Sequence, residues 1–172
     1  MNESWKLSCS VLAMSILIIA QYLLAFFILK MPGLNWIQIL GWGIWIVSVI
    51  FGFAPIFILR KYGGVASGKS YVHTTKLVDS SLYAIVRHPQ YLSGILFNLA
   101  LMLIAQHWLV ILVGIISMLL IYFSIRNADR EGLGKFGTLY QDYMIRVPQM
   151  NFLLGIFRFI RSKRARIAAH PK

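Results

Sequence analysis

Hydrophobic side chains fill four long stretches that carry no charge: residues 7–29, 34–59, 90–106 and 108–125. A helix that crosses a bilayer needs about 20 predominantly apolar residues. The first two stretches meet that length comfortably. The third is short and is separated from the fourth by Gln106-His107, a pattern that predicts a tight helical hairpin. The first stretch is too long for a signal peptide and lacks a small-residue cleavage site.

After the fourth stretch the pattern changes. Leu133, Phe136, Tyr140, Tyr143 and Val147 follow one another at spacings of four or three, which marks one face of a helix. Gly137 can end one helix, and Thr138 with Gln141 can open the next as a capping box. Pro148 blocks continuation. Beyond it, FLLGIFRFIRSKRAR mixes apolar residues with five Arg/Lys and reads as an interfacial helix with a basic face. These patterns predict an all-α fold: an integral membrane helical bundle of about four transmembrane helices, with cytoplasmic C-terminal helices. The chain reads as a single membrane domain over 1–172, in which 127–172 complete the functional site.

Composition strengthens the membrane reading. The 172 residues are 59% hydrophobic, against about 45–50% apolar in ordinary soluble domains. The formal net charge is +12, from 17 basic and 5 acidic residues. On a soluble protein this would point to nucleic acid; here the bases flank apolar stretches, so anionic membrane lipids are the expected partner and nucleic acid is not. Apart from Lys30, the basic residues lie before the first stretch, between the second and third, or after Ile125, and all five acids share those regions. The positive-inside rule makes those regions cytoplasmic, with both termini inside a multi-pass protein. In a prokaryote the membrane would be the plasma membrane.

Two motifs are excluded by context. Gly63-Gly-Val-Ala-Ser-Gly-Lys-Ser70 matches G-x-x-x-x-G-K-[ST], but a phosphate loop needs a strand before it and a helix after it. The stretch follows a membrane helix and precedes YVHTTKLVDSS, which has no long helical pattern, so it reads as a flexible loop near lipid head groups. Cys9 is the single cysteine, and His73, His107 and His170 are dispersed, so no metal site is expected.

Two polar constellations remain. Arg87-His88-Pro89 opens the third stretch, with Tyr91 within one turn. Pro suits a first helical turn, and the N-terminal helix dipole favours an anion. Asp129 and Glu131 follow the fourth stretch. If the third and fourth helices form a hairpin, cations and carboxylates emerge on one membrane face, which suits a zwitterionic ligand. The Tyr140 and Tyr143 face can cover it or simply pack on the hairpin.

YAIVRHPQYLSG followed by DREGLGKFGTLYQDYMIRVP resembles the isoprenylcysteine carboxyl methyltransferase and phospholipid methyltransferase family over residues 75–150. The resemblance implies S-adenosyl-L-methionine as cofactor and a lipophilic acceptor, either a prenylcysteine-type carboxylate or a lipid amine, methylated at the cytoplasmic face. It implies cofactor contacts from Arg87, His88, Pro89, Tyr91, Asp129, Glu131, Phe136, Tyr140 and Tyr143. Arg126 or Arg146 is a candidate for steering an anionic head group, and with Glu131 these make up the candidate catalytic set. The family's adjacent glutamates, seven and eight positions before Phe136, are Asp129 and Ala128 here, with a second acid at Glu131 instead. Two other readings stay open. An NADPH-dependent membrane reductase of the sterol-reductase type shares the Arg-His-Pro-x-Tyr stretch, although such enzymes are longer. A non-enzymatic small transporter or scaffold would be expected to carry polar groups in mid-span, where only Gln21, Asn98 and scattered serines occur.

Overall fold

The computed structural model describes residues 3–29 and 33–169, without the side chains of 3–11, 162, 163 and 165–169. Lys30, His170 and the Cys9 side chain lie outside the described residues. Among the described residues every regular element is helical. They are α1 (Glu3–Leu23, continued by a π-helical turn Leu24–Ile28), α2 (Asn35–Tyr62), a 3-10 turn (Ser81–Ala84), α3 (Pro89–Ala105), α4 (Trp108–Phe136), α5 (Thr138–Arg146) and α6 (Phe152–Ala169). Two of them, α2 and α4, are long and apolar enough to cross a membrane; α3 and the apolar part of α1 are shorter.

The chain divides into two compact units, residues 1–52 with 91–129 and residues 53–90 with 130–172. The first unit is a bundle of apolar helices. Ala25, Leu101, Ala105 and Val110 form its buried cluster, with Leu24, Phe26, Leu29 and Phe97 packed around them. The expected uninterrupted first helix instead ends in the π turn, where the Leu29 N–H reaches the Leu24 carbonyl at 2.9 Å. The widened turn contributes Ala25 to the cluster.

In an apolar medium a polar side chain must find a partner, and it then acts as glue between helices. Gln21 is fully buried, and its Nε2 donates to the carbonyls of Asn98 and Val110, each at 3.2 Å. One amide thereby ties α1 to both α3 and α4. Gly114 leaves the room for it, since a Cβ there would overlap the Gln21 amide nitrogen. The Ser93 hydroxyl donates to the Ser48 carbonyl at 2.7 Å and ties α3 to α2.

The hairpin between α3 and α4 is as tight as the pattern predicts. Gln106 takes a left-handed φ of 47°, and His107 Nδ1 accepts the Leu109 N–H at 3.2 Å to open α4. The Gln106 side chain pairs with both backbone groups of Leu34, each at 3.0 Å. The fourth apolar stretch does not end its helix at residue 125: α4 runs on to Phe136 and carries Asp129 and Glu131 as helical residues.

We expect Gln21→Leu to lower stability by about 0.6–2 kcal/mol, the range for hydrogen bonds between membrane helices. Reversible unfolding in mixed detergent micelles measures this, and an unchanged midpoint would count against the amide as a helix tie.

Candidate active site

In the second unit, α3 begins at Pro89, whose missing N–H costs nothing at a first helical position. The two residues before it are held by backbone pairing. The Arg87 N–H donates to the Pro148 carbonyl at 3.0 Å and the His88 N–H to the Gln149 carbonyl at 3.3 Å. Pro148 ends α5 at Arg146 and frees its own carbonyl for this purpose. Segments sixty-one residues apart, 87–88 and 148–149, are thus clamped together.

A second tie lies beside the first. The Tyr143 hydroxyl donates to the Tyr83 carbonyl at 2.7 Å. Tyr143 is 2% exposed and belongs to a buried cluster with Tyr140 and Val147, surrounded by Leu77, Leu133, Phe136 and Met144. The Tyr140 and Tyr143 rings meet edge to face, with centroids 5.7 Å apart. This is the face expected from the sequence, and the helix break expected at Gly137 is present. Gly137, at φ 56°, breaks α4 from α5, and the stripe continues across the break. The expected capping box is corrected: Thr138 is already the first residue of α5, Gly137 stands at the cap, and no side chain caps the helix. Gly132 brings α4 and α5 close, since a Cβ on it would overlap the Tyr140 ring.

Burial pushes the Tyr143 phenol far above its usual value of 10.0, and the neighbouring Tyr140 and Tyr83 reinforce this. Tyr83 is raised for the same first reason, burial, with Tyr71 adding to it. Both phenols therefore stay protonated across the physiological range. Tyr143 serves as a hydrogen-bond donor and not as a base.

The remaining candidates fall in different settings. Arg87 and His88 are half-buried, Pro89 is buried and Tyr91 is half-buried. Asp129 is 8% exposed, whereas Glu131, two residues on, faces solvent. Arg146 pairs with Asp79 at 3.3 Å across an exposed surface and also reaches the Asp142 carbonyl. Arg126 lies against the Tyr122 ring and donates to its hydroxyl at 3.0 Å. No cluster of metal-ligating side chains occurs among the described residues.

Residues 3–147 match the family model described as "Protein of unknown function (DUF1295)". The chain belongs to the DUF1295 family. Searches of curated proteins and of solved structures returned no match. The DUF1295 description names no methyltransferase, so the methyl-transfer reading rests on the two motif segments.

Sequence reasoning missed several supports of these segments. Gly155 in α6 lies so close to the Ile85 carbonyl that a Cβ there would overlap it. An isolated glycine inside a helical pattern was the available signal. Asn151 caps α6, its Oδ1 accepting the Leu154 N–H at 3.0 Å.

Tyr143→Phe should cost about 1–2 kcal/mol, because the Tyr83 carbonyl loses its donor. It should also blunt alkaline unfolding. A phenol raised by burial lends stability that is complete below its unfolded value of 10.0 and is lost as pH rises through the folded value. Urea titrations of both proteins between neutral and strongly alkaline pH test both points; superimposable curves would refute them. Gly155→Ala should destabilise the second unit without altering the first, read by hydrogen exchange at 83–90 against 97–105.

Proposed function

We propose that the chain is an integral membrane methyltransferase that uses S-adenosyl-L-methionine and methylates a lipophilic acceptor at the cytoplasmic face. One observation carries the reading. The segments that hold the motif residues, 83–91 and 136–149, are clamped by the Arg87–Pro148 and His88–Gln149 backbone bonds and by the Tyr143–Tyr83 bond. The two halves of a sequence motif thus work as one structural piece.

The donor set suits the cofactor. Its methionyl carboxylate needs cations or a helix N-terminus, and Arg87, His88 and the start of α3 offer them. Its ammonium and ribose hydroxyls prefer a carboxylate. Asp129, buried on α4, fits this better than the exposed Glu131, which supports the assignment made by its distance from Phe136. Phe136 offers an apolar edge to the adenine. Tyr140 and Tyr143 act as the buried backing of this region and not as a lid, since both are engaged in the unit's own core. When bound, the cofactor supplies a methyl group on a sulfonium. In the transfer the acceptor's electron pair would make the new bond to the methyl carbon, and the bonding pair of the broken carbon–sulfur bond would remain on sulfur as a lone pair of a neutral thioether. The protein's work is to align the two groups and to exclude water. Arg126 or Arg146 is positioned for an acceptor head group only as an exposed cation. Arg146 would first have to leave Asp79.

Both termini are cytoplasmic in this reading, with four membrane-crossing helices drawn from α1 to α4 and α6 lying on the anionic lipid surface. The exposed Phe157, Phe159 and Ile160 beside Arg158, Arg161 and Arg164 support that placement of α6.

The second reading is the NADPH-dependent reductase, favoured by the shared Arg-His-Pro-x-Tyr stretch. Calorimetry in detergent separates the two. We expect S-adenosylmethionine to bind and NADPH not to. Arg87→Ala should weaken binding by about 1.5–3 kcal/mol, the range for a hydrogen bond to a charged group, and Asp129→Asn should do likewise while Glu131→Gln does not. Binding of NADPH alone would overturn the methyltransferase.

A further inference from the structure

The cytoplasmic end of α2 changes chemistry along one face. Phe53, Phe57 and Arg60 succeed each other at spacings of four and three, which stacks them on a single side of the helix. Phe53 is 61% and Phe57 70% exposed, as suits side chains that face acyl chains. Arg60 then lines an open depression of ≈ 410 Å³ whose other walls are Val65, Ala66, Ser67, Gly68 and Lys69.

The loop that forms those walls is built, not slack. The Gly63 carbonyl accepts the N–H groups of Thr75 and Lys76 at 2.8 and 3.1 Å, and the Thr75 hydroxyl donates to the Gly64 carbonyl at 2.8 Å. Within it, the Lys69 N–H donates to the Ala66 carbonyl at 3.1 Å across a turn with Gly68 at φ 77°. Only glycine takes that angle without strain. No carboxylate lines the depression. Neither the Arg60 guanidinium nor the Lys69 ammonium has a hydrogen bond or ion pair among the described residues, whereas the adjacent Lys61 sits 5.3 Å from the centroid of the Tyr62 ring. Two cations converge on one hollow, and an exposed apolar track leads into it from the membrane side.

We propose that this hollow is a binding site for an anionic phospholipid. The phosphate lies between Arg60 and Lys69, the Ser67 hydroxyl is a further donor, and an acyl chain follows Phe57 and Phe53. The proposal depends on the membrane reading of α2 but not on methyl transfer. A nucleotide phosphate is the competing occupant, because the same loop spells a phosphate-loop pattern. The lipid is favoured on two grounds. No helix begins after Lys69 to receive a nucleotide phosphate at its N-terminus, and the apolar track runs about 10 Å along α2 from Arg60 to Phe53, a length that suits an acyl chain, whereas a base would stack on one ring.

The test uses the full chain in a neutral detergent, titrated with phosphatidylglycerol or phosphatidylcholine, with the thermal unfolding midpoint as readout. Phosphatidylglycerol should raise the midpoint and phosphatidylcholine should not. In Arg60→Gln/Lys69→Gln the half-saturating concentration of phosphatidylglycerol should rise by about tenfold or more, as expected from two cations near an anionic head group. Arg60→Lys, which keeps the charge, and Arg130→Gln, which removes an exposed cation that does not line the hollow, should respond like the unaltered protein. Arg60, Lys69 and Arg130 are all exposed, so the substitutions leave the core intact. An unchanged phosphatidylglycerol response in the double variant overturns the site. So does an equal rise on adding ATP or inorganic phosphate in place of the lipid.

Discussion

A backbone N–H removed from water has to be given a carbonyl, and at Arg87 and His88 no helix supplies one. The chain has just left a 3-10 turn and has not yet entered α3. Pro148 and Gln149, stranded after α5, carry carbonyls with the converse need. Each segment satisfies the other, and much else in the second unit follows. Arg87 and His88 are fixed at the mouth of α3, the Tyr143 hydroxyl reaches Tyr83, and Gly155 lets α6 rest against Ile85. A polar obligation of the main chain, more than any side-chain contact, fixes where the motif residues stand.

Much of this was legible from residue pattern. Charge-free length gave the apolar helices, Gln106-His107 gave the hairpin, and Pro148 gave the end of α5. The spacing of Leu133, Phe136, Tyr140, Tyr143 and Val147 identified a buried face even though Gly137 cuts it into two helices. What stayed hidden depends on distance along the chain. Nothing local announces that the Arg87 amide meets Pro148, that Gln21 bridges two other helices, or that Ile85 lies over Gly155. The capping box misled because it assumed a side-chain oxygen was needed where Gly137 makes the break by backbone conformation alone. Asp129 and Glu131 are alike in charge; distance from Phe136 favours Asp129 in the sequence, and burial on α4 separates it from the exposed Glu131.

The charges are distributed as unevenly as the hydrophobic residues. Fourteen of the seventeen basic residues and three of the five acids belong to residues 53–90 and 130–172. The other unit is nearly free of charge and is tied instead by buried amides and hydroxyls. The composition of the first unit suits hydrocarbon, and that of the second suits a water–lipid boundary.

The continuity of α4 has a geometric consequence. Its apolar part ends near Ile125, yet the helix runs without a break to Phe136. At a rise of 1.5 Å per residue, Asp129 stands only about 6 Å past that edge along the axis. With its apolar part in a bilayer, as proposed above, the helix would act as a ruler fixed at one end in the hydrocarbon. On the proposed methyl-transfer reading, an acceptor that reacts beside Asp129 has to present its reacting group at that height. Lipids and lipidated peptides whose polar group sits just above the acyl chains meet the requirement in place. A substrate whose polar group is carried far out on a long soluble stalk would have to fold back to reach it.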